Sequence, residues 1–132
     1  MRTAGWGRIV NISGLSARRA GGISAGARNA AVVNLTKTLS GELGTEGINV
    51  NAIYPTLTIT ETLEERMANR AQAQGVSVET VLQQSAANTA IRRIVTAEEI
   101  AYVAAFLASP LAVGISGEVV AVTGGAGANV YY

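Results

Sequence analysis

The chain contains neither cysteine nor histidine. Without cysteine there are no disulfides, thiolate nucleophiles or thiolate metal sites, and without histidine there are no His-based triads and none of the commonest zinc ligands. These absences exclude most hydrolase and metalloenzyme functions. No metal site is expected.

Charge is also scarce, at 14% of residues, with ten basic against nine acidic side chains. The arginines occur as separate pairs, Arg18-Arg19 and Arg92-Arg93, and not as a stripe along one segment. A surface that tracks nucleic-acid phosphates needs such a stripe. No nucleic-acid partner is therefore expected.

Long apolar runs are absent as well. The longest, Ile100 to Leu107, ends at Ser109-Pro110 and falls well short of the ~20 residues that cross a bilayer. The opening Met1-Arg2-Thr3 has no signal-peptide core. We expect a cytoplasmic protein that makes no membrane contact.

What is present favours a single α/β domain. The 132 residues are 48% hydrophobic and rich in glycine and alanine, a composition that suits buried parallel strands with closely packed helices. Short runs rich in β-branched residues, bounded by glycine or proline, predict strands over 8–13, 49–54 and 118–122.

The first predicted helix, 24–43, joins the first two strands. Its apolar side chains recur at helical spacing, and Gly44 is placed to stop it. A helix between two strands predicts a right-handed parallel crossover.

A second helical region, 60–90, is polar and broken near Gly75, where Ser77 is placed to cap a new helix. The last helix, 97–108, starts from Thr96 and Glu99, whose spacing is that of a capping box. The resulting unit has three parallel strands with crossover helices. Because its outer strands would expose unpaired backbone groups, we expect a fragment or an obligate oligomer.

Four segments, which together span most of the chain, resemble the C-terminal half of the short-chain dehydrogenase/reductase family. They are GRIVNIS at 7–13, NAAVVNLTKTL at 29–39, GINVNAIYP at 47–55 and GEVVAVTGG at 117–125. The resemblance implies part of a Rossmann-like, doubly wound parallel sheet and an NAD(P)-dependent oxidoreductase. Such an enzyme transfers hydride between the cofactor and a small carbonyl compound or alcohol.

The resemblance also identifies catalytic positions, and several are altered. The family's Asn-x-Ser-Ser ending is Asn11-Ile12-Ser13-Gly14 here, so Ser13 is the remaining candidate for polarising the substrate carbonyl. The family's Tyr-x-x-x-Lys motif aligns with Ala25 and Asn29. Alanine has no proton to give, whereas asparagine keeps the ability to hydrogen-bond a ribose hydroxyl.

A register shifted by one residue would instead pair Ser24 with Arg28 and restore the four-residue spacing. A serine hydroxyl is a poor acid, and the shift needs an insertion in the helix. The simpler interpretation is that Ser24 caps the helix and Arg28 is a solvated surface charge.

The family's Pro-Gly-x-x-x-Thr segment, which lies against the nicotinamide, places Pro55, Thr58 and Thr60 in the candidate cofactor site. Thr56 replaces its glycine, and a β-branched residue restricts close backbone approach. Tyr54 ends a strand, where ligands bind in open α/β sheets, and is a candidate substitute proton donor. The alternative is a tyrosine at the rim of the sheet with its hydroxyl in water.

The family's glycine-rich dinucleotide loop, which binds NAD or NADP, would lie upstream of Met1. We therefore expect Met1 to be an internal start and the chain a truncated, divergent member. The alternative is a non-catalytic half-fold or pseudoenzyme that acts in subunit association as a homo-oligomer. A third hypothesis is a small-molecule or acyl-carrier binding module with the 60–90 region as a lid.

Overall fold

The computed structural model describes residues 1–18 and 22–127. Its strands, in chain order, are β1 (Gly7–Ile12), β2 (Ile48–Pro55), β3 (Thr58–Ile59), β4 (Val95–Thr96) and β5 (Val119–Val122). Its helices are α1 (Ile23–Leu43), α2 (Leu63–Gln74), α3 (Val78–Ala87) and α4 (Ala97–Ala108). The predicted α/β class with three parallel strands and crossover helices is confirmed.

The main sheet has the order β1-β2-β5, and both pairings are parallel. Gly7 lies opposite Ile48, and Ala52 lies opposite Val119. Helix α1 forms the crossover from β1 to β2, while α2, α3 and α4 lie between β2 and β5 in the chain. All three strands therefore end at the same edge of the sheet.

Strand β2 is the centre of the core. On one face Val50 packs with Leu39 and Leu43 of α1, and on the other Ile53 packs with Leu107 of α4. Every residue of β2 from Ile48 to Tyr54 is buried. Because the strand is buried on both faces, the polar residues that alternate along its first half, Asn49 and Asn51, are buried as well, and their amides are hydrogen-bonded to the segment before β5.

Two of the predicted helix starts are confirmed. The Ser77 hydroxyl accepts the backbone N–H of Thr80 at 3.1 Å. Thr96 and Glu99 form the reciprocal capping box at the start of α4. Both signals need only three or four consecutive residues, so they do not depend on tertiary structure.

The predicted cap of α1 is wrong. Gly22 is the N-cap of this helix and makes no side-chain cap bond, whereas Ser24 lies one residue inside the first turn. A capping hydroxyl must precede the helix on extended backbone to reach the free N–H groups. At the other end, α1 stops at Gly44 as expected, and a 3₁₀ turn follows.

Gly47 ends that turn with φ +74°, a conformation in which glycine is strongly favoured. A Cβ at this position would also collide with the carbonyl oxygen of Gly5. The close approach of these two segments starts β1 and β2 side by side, and Gly7 N–H then donates to the Gly47 carbonyl at 3.2 Å.

The second, two-stranded sheet was not predicted from any pattern in the sequence. Thr58 of β3 pairs with Val95 of β4 in parallel, and each strand has only two residues. Because β3 precedes α2 and β4 follows α3, the pair brings the two ends of the helical region together. Within it, Leu63, Met67 and Val81 form a small core of their own.

Candidate functional site

A cleft of about 480 Å³ lies where the chain leaves the carboxyl ends of the strands. The described residues that line it come from the segments after β1, β2 and β5 and from α2 and α3: Leu15, Thr56, Leu57, Arg70, Ser85, Asn88, Thr89, Ile94, Ala126 and Gly127. Ligands of open α/β sheets bind at this edge, outside the carboxyl ends of the strands. The cleft is therefore the candidate site.

Ser13 and Asn29 meet at one side of this edge. The Ser13 side chain is buried, and its Oγ donates to the Asn29 backbone carbonyl at 3.0 Å. A Cβ built on Gly14 would come within 3.0 Å of Asn29 Nδ2. The structure thus brings Ser13, Gly14 and Asn29 together, with the Asn29 amide against the backbone of Gly14.

Helix α1 is held in this position by a buried polar contact with β1. Asn11 Nδ2 donates to Thr36 Oγ1 at 3.0 Å, and the Thr36 hydroxyl donates to the Val32 carbonyl at 2.7 Å. Thr36 is fully buried. Because both partners are satisfied, the contact fixes α1 along β1 without leaving a buried polar atom unpaired.

The position that the resemblance assigns to the catalytic tyrosine is Ala25, one turn before Asn29 on α1. Residues four apart share a helix face, so a longer side chain at Ala25 would lie beside Asn29. Ser24 and Arg28, the pair of the shifted register, are both exposed. Neither of these registers provides a tyrosine or a lysine.

Tyr54 differs from the expected rim position with its hydroxyl in water. Its side chain is buried, with 1% of its surface exposed. Tyr54 lies on the central strand opposite the small Ala121 of β5, and the Arg18 guanidinium carbon is 5.4 Å from its ring centroid. A central strand flanked on both sides leaves its last side chain enclosed, which a sequence pattern does not reveal.

The three positions assigned to the nicotinamide wall follow directly from β2. Pro55 is its last residue, opposite Val122. Thr58 Oγ1 donates to the Thr56 carbonyl at 2.9 Å, and the exposed Thr60 hydroxyl lies 3.3 Å from that of Thr62. The hydroxyls of Thr58 and Thr60 therefore make local bonds, while the neighbouring Thr56 and Leu57 line the cleft.

Sequence reasoning offered the helical region as a lid in one hypothesis but identified none of the residues that it contributes to the cleft. Arg70 of α2, together with Ser85 and Asn88 in and after α3, lines the cleft. No motif marks these residues, since they are brought to the site by the packing of α2 on α3. The one sequence feature that could have indicated their role is the position of the 60–90 segment, which follows the carboxyl end of β2 and precedes β5.

Two described side chains with clearly shifted pKa values, Arg93 and Glu99, lie outside the cleft lining. Arg93 binds both carboxylate oxygens of Glu99 at the start of α4. The Arg93 hydrogen bond, assisted by the Thr96 backbone N–H, lowers the pKa of Glu99 from 4.5 to about 2. The same pair raises the pKa of Arg93. This ion pair belongs to the capping of α4 and not to the cleft.

Within the parts of the chain that the structure describes, no helix combines the length and hydropathy needed to cross a membrane.

Comparisons with known proteins agree on one family. The family model described as enoyl-(acyl carrier protein) reductase matches residues 1–127. The short-chain reductase protein NovJ of Streptomyces niveus is 38% identical over 126 residues, which are 95% of this chain and 47% of that relative. The chain thus spans about half the length of this curated relative.

Solved structures also match nearly all of this chain over about half of their own length. An NADPH-dependent reductase involved in bacilysin biosynthesis, YwfH, matches 98% of this chain and 50% of its own, with a TM-score of 0.89 and 29% identity. The L-sorbose reductase of Gluconobacter frateurii, solved with NADPH and L-sorbose, matches 98% of this chain and 51% of its own, with a TM-score of 0.88 and 27% identity. The chain belongs to the short-chain dehydrogenase/reductase family, whose members are oxidoreductases.

Proposed function

We propose that this chain forms the substrate- and nicotinamide-facing part of an NAD(P)-dependent oxidoreductase that acts on a small carbonyl compound or alcohol. The observation that carries the proposal is the cleft at the carboxyl edge of the sheet, whose lining includes Leu15, two residues after Ser13 in the chain. Its position is the one at which open α/β sheets bind dinucleotides. Relatives that are described with NADPH share this fold.

The polar groups at this edge of the sheet fit a nicotinamide nucleoside, whose ribose hydroxyls and carboxamide need hydrogen-bond partners. The Asn29 amide stands at the edge of the sheet against Gly14 and has both donors and an acceptor for ribose hydroxyls. The Thr56 hydroxyl makes no hydrogen bond to another described residue and lines the cleft. When bound, the cofactor supplies or accepts the hydride.

The proton that accompanies hydride transfer has no donor at the family's position. Ala25 carries no titratable group, and the Ser13 hydroxyl already donates its proton to the Asn29 carbonyl. Tyr54 is the phenol at the carboxyl end of β2, and it is our candidate for the proton donor. A positioned general acid contributes about 10²–10⁴ to the rate, so removal of the Tyr54 hydroxyl should slow turnover by a factor of this order.

Titration of the full chain with NADH and NADPH, followed by the fluorescence of the dihydronicotinamide, tests the proposal. Asn29→Ala is expected to weaken binding about three- to tenfold, the effect of one lost hydrogen bond. Asn34→Ala is the matched control, because Asn34 is an exposed amide on the same helix. No saturable binding of either dinucleotide, or equal losses in both variants, would contradict the proposal.

Turnover of carbonyl compounds by wild type and Tyr54→Phe tests the proton donor separately. We expect the phenylalanine variant to lose turnover while its dinucleotide affinity is unchanged, since the two side chains differ only in the hydroxyl. Unchanged turnover in Tyr54→Phe would remove Tyr54 from the reaction.

A second candidate function is subunit association without catalysis. It is favoured by Ala25 and Asn29 at the motif positions and by large apolar side chains on the outer face of α4 and just after it. The exposed group consists of Tyr102, Phe106, Leu111 and Val113. Exposed apolar patches of this kind mark surfaces that bind other proteins.

A further inference from the structure

The cleft contains one charged side chain among its described lining residues, Arg70. Arg70 lies on α2 next to the buried face of that helix, three residues after Met67 and one before Ala71. Arg70 therefore lies on the flank of α2 that borders the cleft. The other described lining residues are neutral.

Arg70 has no anionic partner in the described part of the chain. The ion pairs found there are Arg2–Glu46 and Arg93–Glu99, and no hydrogen bond of the Arg70 guanidinium to a described residue is formed. Along α2, the residues one turn away are Arg66, Met67, Ala73 and Gln74, none of them acidic. Arg70 itself is exposed, so its guanidinium is free of a competing carboxylate on its helix and open to an anion that enters the cleft.

Two further polar groups of the cleft are uncommitted. The Thr56 hydroxyl and the Asn88 amide make no hydrogen bond to a described residue. By contrast, the Ser85 hydroxyl donates to Val81 at 2.7 Å and that of Thr89 donates to Ala86 at 2.9 Å. The cleft therefore offers a ligand one cation, one amide and one hydroxyl.

The rest of the lining is mixed: the apolar side chains of Leu15, Leu57 and Ile94 stand beside the hydroxyls of Ser85 and Thr89. Apolar side chains combined with placed polar groups are typical of small-molecule sites, and about 480 Å³ is within their usual size. The apolar side chains suit the carbon skeleton of a ligand, while the guanidinium suits its charged end.

We propose that the substrate of this site is a small carbonyl or hydroxy acid whose carboxylate is bound by Arg70. The inference rests on the proposed oxidoreductase function and adds its substrate class. Arginine presents a planar pair of N–H donors that matches the two oxygens of a carboxylate. The Asn88 amide is then the group available to the carbonyl or hydroxyl of the same molecule, since the Thr56 hydroxyl is assigned to the nicotinamide nucleoside.

Two probes with the same oxo-acyl skeleton, one anionic and one neutral, test the inference: 4-oxopentanoate and its methyl ester, titrated into the isotopically labelled full chain and followed by NMR chemical shifts. We expect the wild type to bind the acid at least about tenfold more tightly than the ester, as a charge-assisted bidentate contact requires. Arg70→Gln should abolish this preference. Arg66→Gln, the matched control one turn away on α2 and outside the cleft lining, should keep it.

Equal binding of acid and ester by the wild type, or a preference that survives Arg70→Gln, would overturn the inference. The wild-type comparison does not depend on how well either variant folds. The same three proteins are titrated with NADPH, for which Arg70→Gln is expected to have no effect. A loss of NADPH affinity in that variant would assign Arg70 to the cofactor phosphates and also overturn the inference. Preference for the acid without any NADPH binding would instead contradict the proposed function.

Discussion

At the scale of single residues, the start of α4 is set by three side chains that act together. Thr96 Oγ1 accepts the Glu99 backbone N–H at 3.2 Å, and Glu99 Oε2 accepts the Thr96 backbone N–H at 2.9 Å. Arg93 binds the same carboxylate. Two of the free N–H groups at the start of α4, those of Thr96 and Glu99, are thus satisfied by the residues that define where the helix begins.

We predict that Thr96→Ala lowers the free energy of unfolding by about 1 kcal/mol, the usual cost of a lost N-cap. Thr62→Ala is the control, since Thr62 is the N-cap of α2 but makes no side-chain cap bond. Chemical denaturation of both variants measures the difference. Equal losses in the two variants would show that the Thr96 hydroxyl does not act as a cap.

The lowered pKa of Glu99 predicts a dependence of stability on pH. Its pKa is about 2 in the folded chain against an ordinary 4.5, so the ionised form favours folding. This contribution is complete above about pH 4.5 and is lost as the pH falls toward 2. The pair is solvent-exposed, so we expect a small effect that salt weakens further.

Comparison of wild type with Glu99→Gln in denaturation midpoints from neutral to acid pH measures this contribution. The difference in denaturation midpoint between wild type and Glu99→Gln should become smaller below about pH 4.5. Glu98→Gln serves as control, because Glu98 is also in the first turn of α4 but forms no ion pair with a described residue. A gap that stays constant down to acid pH would contradict the assignment.

The sequence did not predict the roles of residues that depend on contacts with distant parts of the chain. Ser77 and Thr96 were identified as caps because their partners lie three residues away. The burial of Tyr54 depends on Arg18 and on β5, and the place of Arg70 in the cleft depends on the packing of α2 against α3. None of these long-range contacts leaves a periodic or spacing signal.

At the scale of elements, two asparagines of β2 join the central strand to the segment that leads into β5. Asn51 Nδ2 donates to the Ile115 carbonyl at 2.8 Å, and its Oδ1 accepts the Glu118 N–H at 3.1 Å. Asn49 Nδ2 donates to the carbonyls of Val113 and Ile115. These amides add to two backbone bonds at the same place, from the Gly117 N–H to the Val50 carbonyl and from the Ala52 N–H to the Glu118 carbonyl.

We predict that Asn51→Leu costs about 1–3 kcal/mol of unfolding free energy, because the Glu118 N–H loses its acceptor and the Ile115 carbonyl loses one of its two amide donors. Asn51 is 1% exposed, whereas Asn69 on α2 is exposed. Asn69→Leu is therefore the control and should be nearly neutral in the same urea denaturation. A neutral Asn51→Leu would mean that β5 is held by its strand pairing alone.

The main elements were predictable because their patterns are long. Twelve residues of α4 and twenty-one of α1 provide several turns of spacing, and the β-branched runs mark β1, β2 and β5. Strands β3 and β4 have two residues each, too few to show alternation. Their pairing follows from where the helical region begins and ends, which is a tertiary property.

At the scale of the whole molecule, the sheet is open at both sides within the described residues. Strands β1 and β5 each pair with β2, and Ile12 at the end of β1 is 57% exposed. The outer face of α4 adds Tyr102 and Phe106. Open sheet edges and apolar faces favour association with further chain or with a second copy.

We predict self-association at micromolar concentration, which sedimentation velocity measures. Phe106→Glu should shift the chain toward monomer by placing a charge in the apolar contact. Val76→Glu is the control, because Val76 is exposed in the turn between α2 and α3. A wild-type chain that is folded and monomeric at these concentrations would contradict the association function.

The most direct test of the account is to map where NADPH acts on the chain. The central claim is that the cofactor lies at the carboxyl edge of the sheet, so amide NMR shifts on addition of NADPH should concentrate at Ser13, Asn29 and Thr56. Amides at the opposite edge, such as those of Gly7 and Ile48, should remain unchanged. Shifts confined to that opposite edge, or none at saturating NADPH, would contradict the claim.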